Sequence, residues 1–197
     1  MSSKIIIDEK VTTFNQISDE IISCRKCILC ESAKLAVVGE GSLNSKIIFI
    51  GEAPGKNEDE TGRPFVGRAG KLLTQLINSL GLSREDVWIG NVIKHRPPKN
   101  RPPKSEEIFA CKNFLTRQIE LINPQIIVSL GRFSFNYFLP DAKITSERGK
   151  LIDMGRFKLF PVYHPAAALR NKNFLNTLTA DFSHLSEILE KNIREKK

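Results

Sequence analysis

Four short, β-branched runs separated by segments of helical spacing constrain this chain more than any other feature. They are Lys46-Ile-Ile-Phe-Ile50, Val87-Trp-Ile-Gly90, Gln125-Ile-Ile-Val-Ser-Leu130 and Lys158-Leu-Phe-Pro-Val-Tyr163. Nearly continuous apolar runs bounded by Gly, Pro or Asn are expected of strands covered on both faces. Between them, Leu72, Leu73, Leu76, Ile77 and Leu80 form a helical stripe ended by Gly81. Ile108, Cys111, Leu115, Ile119 and Leu121 form another, entered through Ser105 with Glu106 and Glu107 in its first turn. A last helix is predicted from about Leu175 to Ile193, apolar at Leu178, Phe182, Leu185, Ile188 and Leu189. Strand–helix alternation predicts an α/β fold: one three-layer α/β/α domain over 1–197 around a central, mostly parallel four-stranded sheet. Ligands in such folds bind beyond the carboxyl ends of the strands.

Composition narrows the class. A length of 197 residues suits one domain, and 41% hydrophobic content excludes a disordered chain. Thirty Lys and Arg against 22 Asp and Glu leave a charge of +8, which favours a polyanionic partner. No apolar run approaches the ~18 residues of a membrane span. Met1 to Lys10 carries Asp8 and Glu9 and lacks the apolar core of a secretory signal. The expectation is a cytoplasmic protein with no membrane partner. Of four cysteines, Cys24, Cys27 and Cys30 fall within seven residues, and Cys111 stands apart. In an intracellular chain such crowding favours a metal over disulfides.

Chemistry concentrates in three loops that follow strands. The first runs from Gly51 to Gly67, the second from Asn91 to Lys104 and the third from His164 to Asn171. The first fails as a P-loop: Gly55-Lys56 has Ile50 where Gly is required and Asn57 where Ser or Thr is required. Gly70-Lys71 fails through Phe65 and Leu72. The glycines instead allow backbone N–H groups to approach a flat ligand closely. Between Lys94 and Lys104 lie five Lys or Arg residues, one His, four Pro and no acid. A stiff, extended row of cations suits a phosphate backbone, the alternative being a solvated Pro-rich surface loop.

Five segments in order carry a resemblance: Gly51-Glu-Ala-Pro-Gly55, Gly62-Arg-Pro-Phe-Val-Gly-Arg-Ala-Gly70, Asn91-Val-Ile-Lys94, Arg96-Pro-Pro-Lys-Asn-Arg101 and His164-Pro-Ala166. They resemble the family 4 uracil-DNA glycosylases, the iron–sulfur branch of that superfamily, from about Cys24 to Asn171. The resemblance implies hydrolysis of the bond joining uracil to deoxyribose in single- or double-stranded DNA, after the base has left the stack. Phe65 is then the stacking platform. Asn91 reads the uracil edge, its amide matching N3–H and O4 and opposing cytosine's reversed pair. His164 is the catalytic histidine, donating to O2 as charge moves onto the departing base. Where many relatives place a water-orienting Asp, this chain has Ala53. The resemblance therefore gives Glu58 the task of placing water or stabilising the sugar cation. Glu52 lines the pocket near C5, where thymine carries its methyl group, while Asp59 and Glu60 read as a solvated run. Leu169 and Arg170 match a wedge and a DNA contact in an inserting loop, although Ala166 to Leu169 also reads as a helix start. Lys94, Arg96, Lys99, Asn100 and Arg101 complete the implied DNA contacts. His184 reads as a surface or packing residue.

The same family holds a [4Fe–4S] cluster on four cysteines, three of which match Cys24, Cys27 and Cys111. The fourth position is His95. Either His95 itself ligates, as His does in Rieske centres, or Cys30 supplies the fourth thiolate. Position favours His95, and the preference of such clusters for thiolate favours Cys30. The implied role is architectural, tying a segment of about 13–34 to the basic loop, with zinc as the rival metal. Uracil-containing DNA is the implied partner of a monomer, and a sliding clamp is a further candidate. A uracil-DNA sensing protein with little turnover is the alternative function. Lys-His after the strand-end Asn resembles a branch trapped covalently on uracil sites, but the short Arg-Pro-Pro loop without a second His argues for turnover. An electron carrier would leave Phe65, Asn91 and His164 unexplained.

Overall fold

The computed structural model describes residues 2–194. All four predicted strands form, as β2 (Ile47–Gly51), β3 (Trp88–Asn91), β4 (Ile126–Leu130) and β6 (Lys158–Val162). They lie parallel in the order β3-β2-β4-β6. Every residue of β2, β3 and β4 is buried, which explains why these runs are continuous rather than alternating. The sheet has six strands rather than four. β1 (Glu40–Gly41) pairs antiparallel with β3 at one edge, and β5 (Ile152–Asp153) with β6 at the other. Two-residue edge strands carry no periodic signal, and their brevity leaves little free edge for another chain to join.

Alternate residues of the strands feed two cores. Ile47, Phe49, Ile89, Val128 and Phe160 pack on one face against Leu73 and Ile77 of α4 (Arg68–Ser79) and Leu178, Phe182 and Leu185 of α9 (Lys172–Arg194). Ile48, Ile50, Trp88, Ile127 and Leu159 pack on the other against Cys111, Leu115 and Ile122 of α5 (Ser105–Ile122) and Phe135 of α6 (Arg132–Phe138). Helices thus cover both faces, as the alternation required. Outside α5 lies α1 (Ser2–Ile22), burying Ile17 and Ile21 beside Phe114 and Cys24. Short helices α2 (Leu29–Ser32), α3 (Lys56–Thr61), α7 (Ile144–Glu147) and α8 (Pro165–Ala168) punctuate the loops.

Two helix starts differ from expectation for identifiable reasons. At α5 the cap position is Lys104, whose N–H donates to the Glu107 carboxylate at 2.8 Å, so the capping oxygen comes from Glu107 rather than Ser105. The last helix begins at Lys172, because the Asn171 side chain accepts the Asn173 N–H at 2.8 Å. Among the described residues no helix is long and apolar enough to cross a membrane.

Phe182 is 1% exposed and stacks on Phe49 with ring centroids 6.1 Å apart, joining α9 to the central strand. Phe182→Ala is expected to lower unfolding stability by about 3–5 kcal/mol in chemical denaturation. A loss below about 1 kcal/mol would show that α9 is not held through this contact.

Candidate active site

Parallel pairing places Gly51, the last residue of β2, directly beside Asn91, the last residue of β3. A Cβ at Gly51 would stand 2.4 Å from Asn91 Oδ1 and 2.5 Å from Phe65 Cζ, so only glycine lets these two side chains converge there. Phe65 reaches this point through a left-handed backbone, φ +51°. That conformation costs an aromatic residue roughly 1–2 kcal/mol and persists where the surroundings impose it. The surroundings here are specific. Arg84 donates to the carbonyls of Pro64 at 2.8 Å and Phe65 at 3.3 Å while pairing with Glu40 at 2.5 Å. On the other side Gly70 lies so close that a Cβ would come within 1.7 Å of Phe65 O.

His164 arrives from β6, two strands away, and Gly131 at the end of β4 makes room for it: a Cβ there would lie 2.9 Å from His164 Cβ. The His164 ring stacks on Phe65 with centroids 5.7 Å apart at 29°. As the cap of α8 its Nδ1 accepts the Ala166 N–H at 3.0 Å. In the neutral ring the proton therefore sits on Nε2. Burial pushes the imidazole down to about 4, with Glu58 pulling weakly the other way, so His164 is a neutral donor near pH 7.

Glu58 binds three backbone N–H groups: Gly55 at 3.1 Å on Oε2, and Val66 at 2.9 Å and Gly67 at 3.0 Å on Oε1. It thereby ties α3 to the Phe65 turn. Asn91 is 1% exposed, yet its Oδ1 has no partner. A buried carbonyl oxygen without a donor is costly, and it marks where a ligand N–H belongs.

These groups line one cavity of about 350 Å³, with Glu52, Ala53, Phe65, Asn91 and His164 on its walls and Glu58, Asn100, Arg101 and Arg170 beside them. A larger hollow of about 640 Å³, lined by Thr116, Ile119, Tyr137 and Phe157, holds none of them.

The basic loop departs from the expected row of exposed cations. Lys94 is buried at 1% exposure, its Nζ donating to Asn91 O at 2.9 Å and Gln118 Oε1 at 2.7 Å, so it does not face a phosphate backbone. Burial pushes its ammonium down to about 8. Arg101 pairs with the fully buried Glu107 at 2.5 Å while still lining the cavity. Arg96 donates to Asn100 Oδ1 at 2.7 Å and lies 3.8 Å from Asp59. Lys99 and Asn100 are exposed on a turn of positive φ, and Leu169 (39% exposed) and Arg170 lie on the surface after α8, so that segment is both helix start and protruding loop. Asp59 is not solvated: it is 3% exposed and accepts the Lys34 N–H at 2.8 Å, tying the N-terminal segment to α3. His184 is exposed, with Nδ1 2.9 Å from Gly149 O.

The four cysteines are free thiols. Cys24 and Cys111 are buried and Cys27 half-buried, and burial pushes the Cys27 and Cys111 thiols up, with neighbouring cysteines adding to the effect. Cys24, Cys27 and Cys111 are thus within electrostatic reach of one another. Cys30 Sγ donates to Cys27 O at 3.1 Å, while His95 is buried near Arg25 and Asp59. Among the described residues no three of these side chains converge in a geometry that would already hold a metal ion.

Sequence reasoning missed Arg132, just after β4, the one charged neighbour pulling Glu52 toward ionisation. The signal was available, since Gly131-Arg132 follows a strand as the three chemically dense loops do. Burial outweighs Arg132 and pushes Glu52 up to about 7. Its folded value lies above the unfolded one, so stability is lost as pH rises from about 4.5 to 7. Glu52→Gln should therefore raise the melting temperature more at pH 8 than at pH 5. Equal shifts at both pH values would contradict this assignment.

Comparison with known proteins agrees with the geometry. The family model of the uracil DNA glycosylase superfamily matches residues 38–190. The type-4 uracil-DNA glycosylase of Saccharolobus solfataricus is 51% identical over 88% of this chain and 85% of its own. That of Sulfurisphaera tokodaii is 49% identical over 89% and 84%, and that of Archaeoglobus fulgidus 44% identical over 91% and 94%. With Phe65, Asn91 and His164 meeting in one cavity, the chain belongs to the uracil-DNA glycosylase superfamily, among its type-4 members.

Proposed function

We propose that the protein is a DNA-repair hydrolase that extrudes uracil from DNA, cleaves its N-glycosidic bond, and leaves free uracil and an abasic site. The observation that carries this reading is the unpartnered, buried Oδ1 of Asn91 in the same cavity as His164. Uracil satisfies it: Oδ1 accepts N3–H while the amide nitrogen donates to O4, and cytosine would present the wrong groups. Phe65 supplies the stacking face. As the bond from C1′ to N1 breaks, its electron pair moves onto the base, and His164 Nε2–H stabilises the charge gathering at O2. A neutral imidazole suits this work, since it donates a hydrogen bond without transferring a proton.

Water completes the reaction at C1′. The backbone N–H groups occupy three of the roughly four acceptor positions of the Glu58 carboxylate, leaving one for a water. Its negative charge also favours the cationic sugar. Glu52 and Ala53 wall the base side, and Glu52 opposes the thymine methyl. Lys99, Asn100, Leu169 and Arg170 meet the DNA around the cavity mouth, with Leu169 filling the vacated space. Arg96 and Arg101 contribute charge from partly exposed positions tied down by Asn100 and Glu107, and a single chain supplies every group the reading uses.

Cys24, Cys27 and Cys111 would hold a [4Fe–4S] cluster, with His95 or Cys30 as fourth ligand, and the group would supply architecture rather than chemistry at the base. The support is three soft donors, two buried and one half-buried, within electrostatic reach of one another.

His164→Ala and Asn91→Ala are each expected to slow single-turnover release of uracil from a uracil-containing oligonucleotide by about 10²–10³-fold. Affinity for undamaged DNA should change little, and parallel loss of both properties would refute the assigned roles. Protein purified without oxygen should carry about four iron atoms per chain. Zinc in their place would overturn the cluster.

A further inference from the structure

The basic-loop lysine that points inward occupies an unusual position. Lys94 is a fully buried ammonium met by two neutral oxygens, Asn91 O at 2.9 Å and Gln118 Oε1 at 2.7 Å, above the Trp88 ring at 5.9 Å. Burying such a charge is costly, and two neutral acceptors offset only part of that cost. β1 pairs with Ile89 and Trp88 and stops short of Asn91. The Asn91 carbonyl, at the end of β3, therefore takes the lysine Nζ where a strand N–H would otherwise sit. Gln118 is itself anchored, donating to Val38 O at 2.9 Å, and the Lys94 carbonyl accepts the Val37 N–H at 2.8 Å. Gln118 lies two turns beyond Cys111 on the buried face of α5.

We propose that Lys94 is a positioning residue: its buried ammonium pins the Asn91 peptide to α5 and so holds the amide that reads the base, joining the cysteine-bearing helix to the cavity. The proposal rests on the reading of Asn91 given above. Lys94 touches no substrate, and its effect passes through the backbone of Asn91. Displacement of a reading group by a fraction of an ångström is felt in the chemical step more than in the encounter with DNA.

A double-mutant cycle tests this. Lys94→Met should slow single-turnover uracil release by about 10²-fold, with little change in the affinity for undamaged DNA. In an Asn91→Ala background the same substitution should cost almost nothing, because the group it positions is gone. Gln118→Met, which removes the other oxygen without altering position 94, should give a smaller loss that also vanishes beside Asn91→Ala, and it serves if Lys94→Met does not fold. If the parent excises uracil and Asn91→Ala is slow, yet the losses multiply, Lys94 only supports the fold and the proposal fails alone. A parent that releases no uracil, or an Asn91→Ala variant as fast as the parent, overturns both the proposal and the reading beneath it.

Discussion

The site depends on one steric fact: β2 ends in a residue with no side chain, paired directly in register with Asn91. Gly51 opens a gap at the end of the parallel ladder into which Phe65 and Asn91 both lean. A methyl group there would collide with each of them. The remaining construction follows from keeping that gap open and lined. Phe65 is held in a left-handed conformation by Arg84 and by the close approach of Gly70, and Gly131 clears a path for His164 across β4. Glycine thus acts three times by absence, at points where strands or turns pass within contact distance.

Charge inside the fold does mechanical work around this gap. The Glu58 carboxylate gathers three backbone N–H groups of the loop that carries Phe65, Asp59 on the next residue holds the N-terminal segment, and Glu107 holds Arg101 at the head of α5. The proline-rich segment is therefore fastened at several points rather than laid over the surface. Its overall positive charge still belongs to the molecule, but part of it is spent on internal ties, and the exposed share sits with Lys99 and Lys104, and with Arg170 across the cavity.

Much of this was legible in the sequence, for reasons that differ by residue. The central strands were visible because burial on both faces forces continuous β-branched runs, and α4 because its stripe ends at Gly81. Phe65, Asn91 and His164 were picked out because each lies in a segment that resembles the family 4 uracil-DNA glycosylases, at or after the end of a predicted strand. The edge strands were not, since two residues cannot show a period. Lys94 and Asp59 were misjudged because a charged residue in a charged stretch reads as solvated, and only tertiary packing reveals the oxygen or N–H group waiting inside. Arg132 went unnoticed because it opens a short helix directly after Gly131, with no polar loop between strand and helix to draw attention to it.

The most direct measurement is a crystal structure of the protein with free uracil bound. The account requires the base in the 350 Å³ cavity, N3–H on Asn91 Oδ1, O2 facing His164 Nε2, and the ring stacked on Phe65. Uracil found elsewhere, or an Asn91 amide whose oxygen is satisfied by the protein while the base lies against other groups, would contradict it.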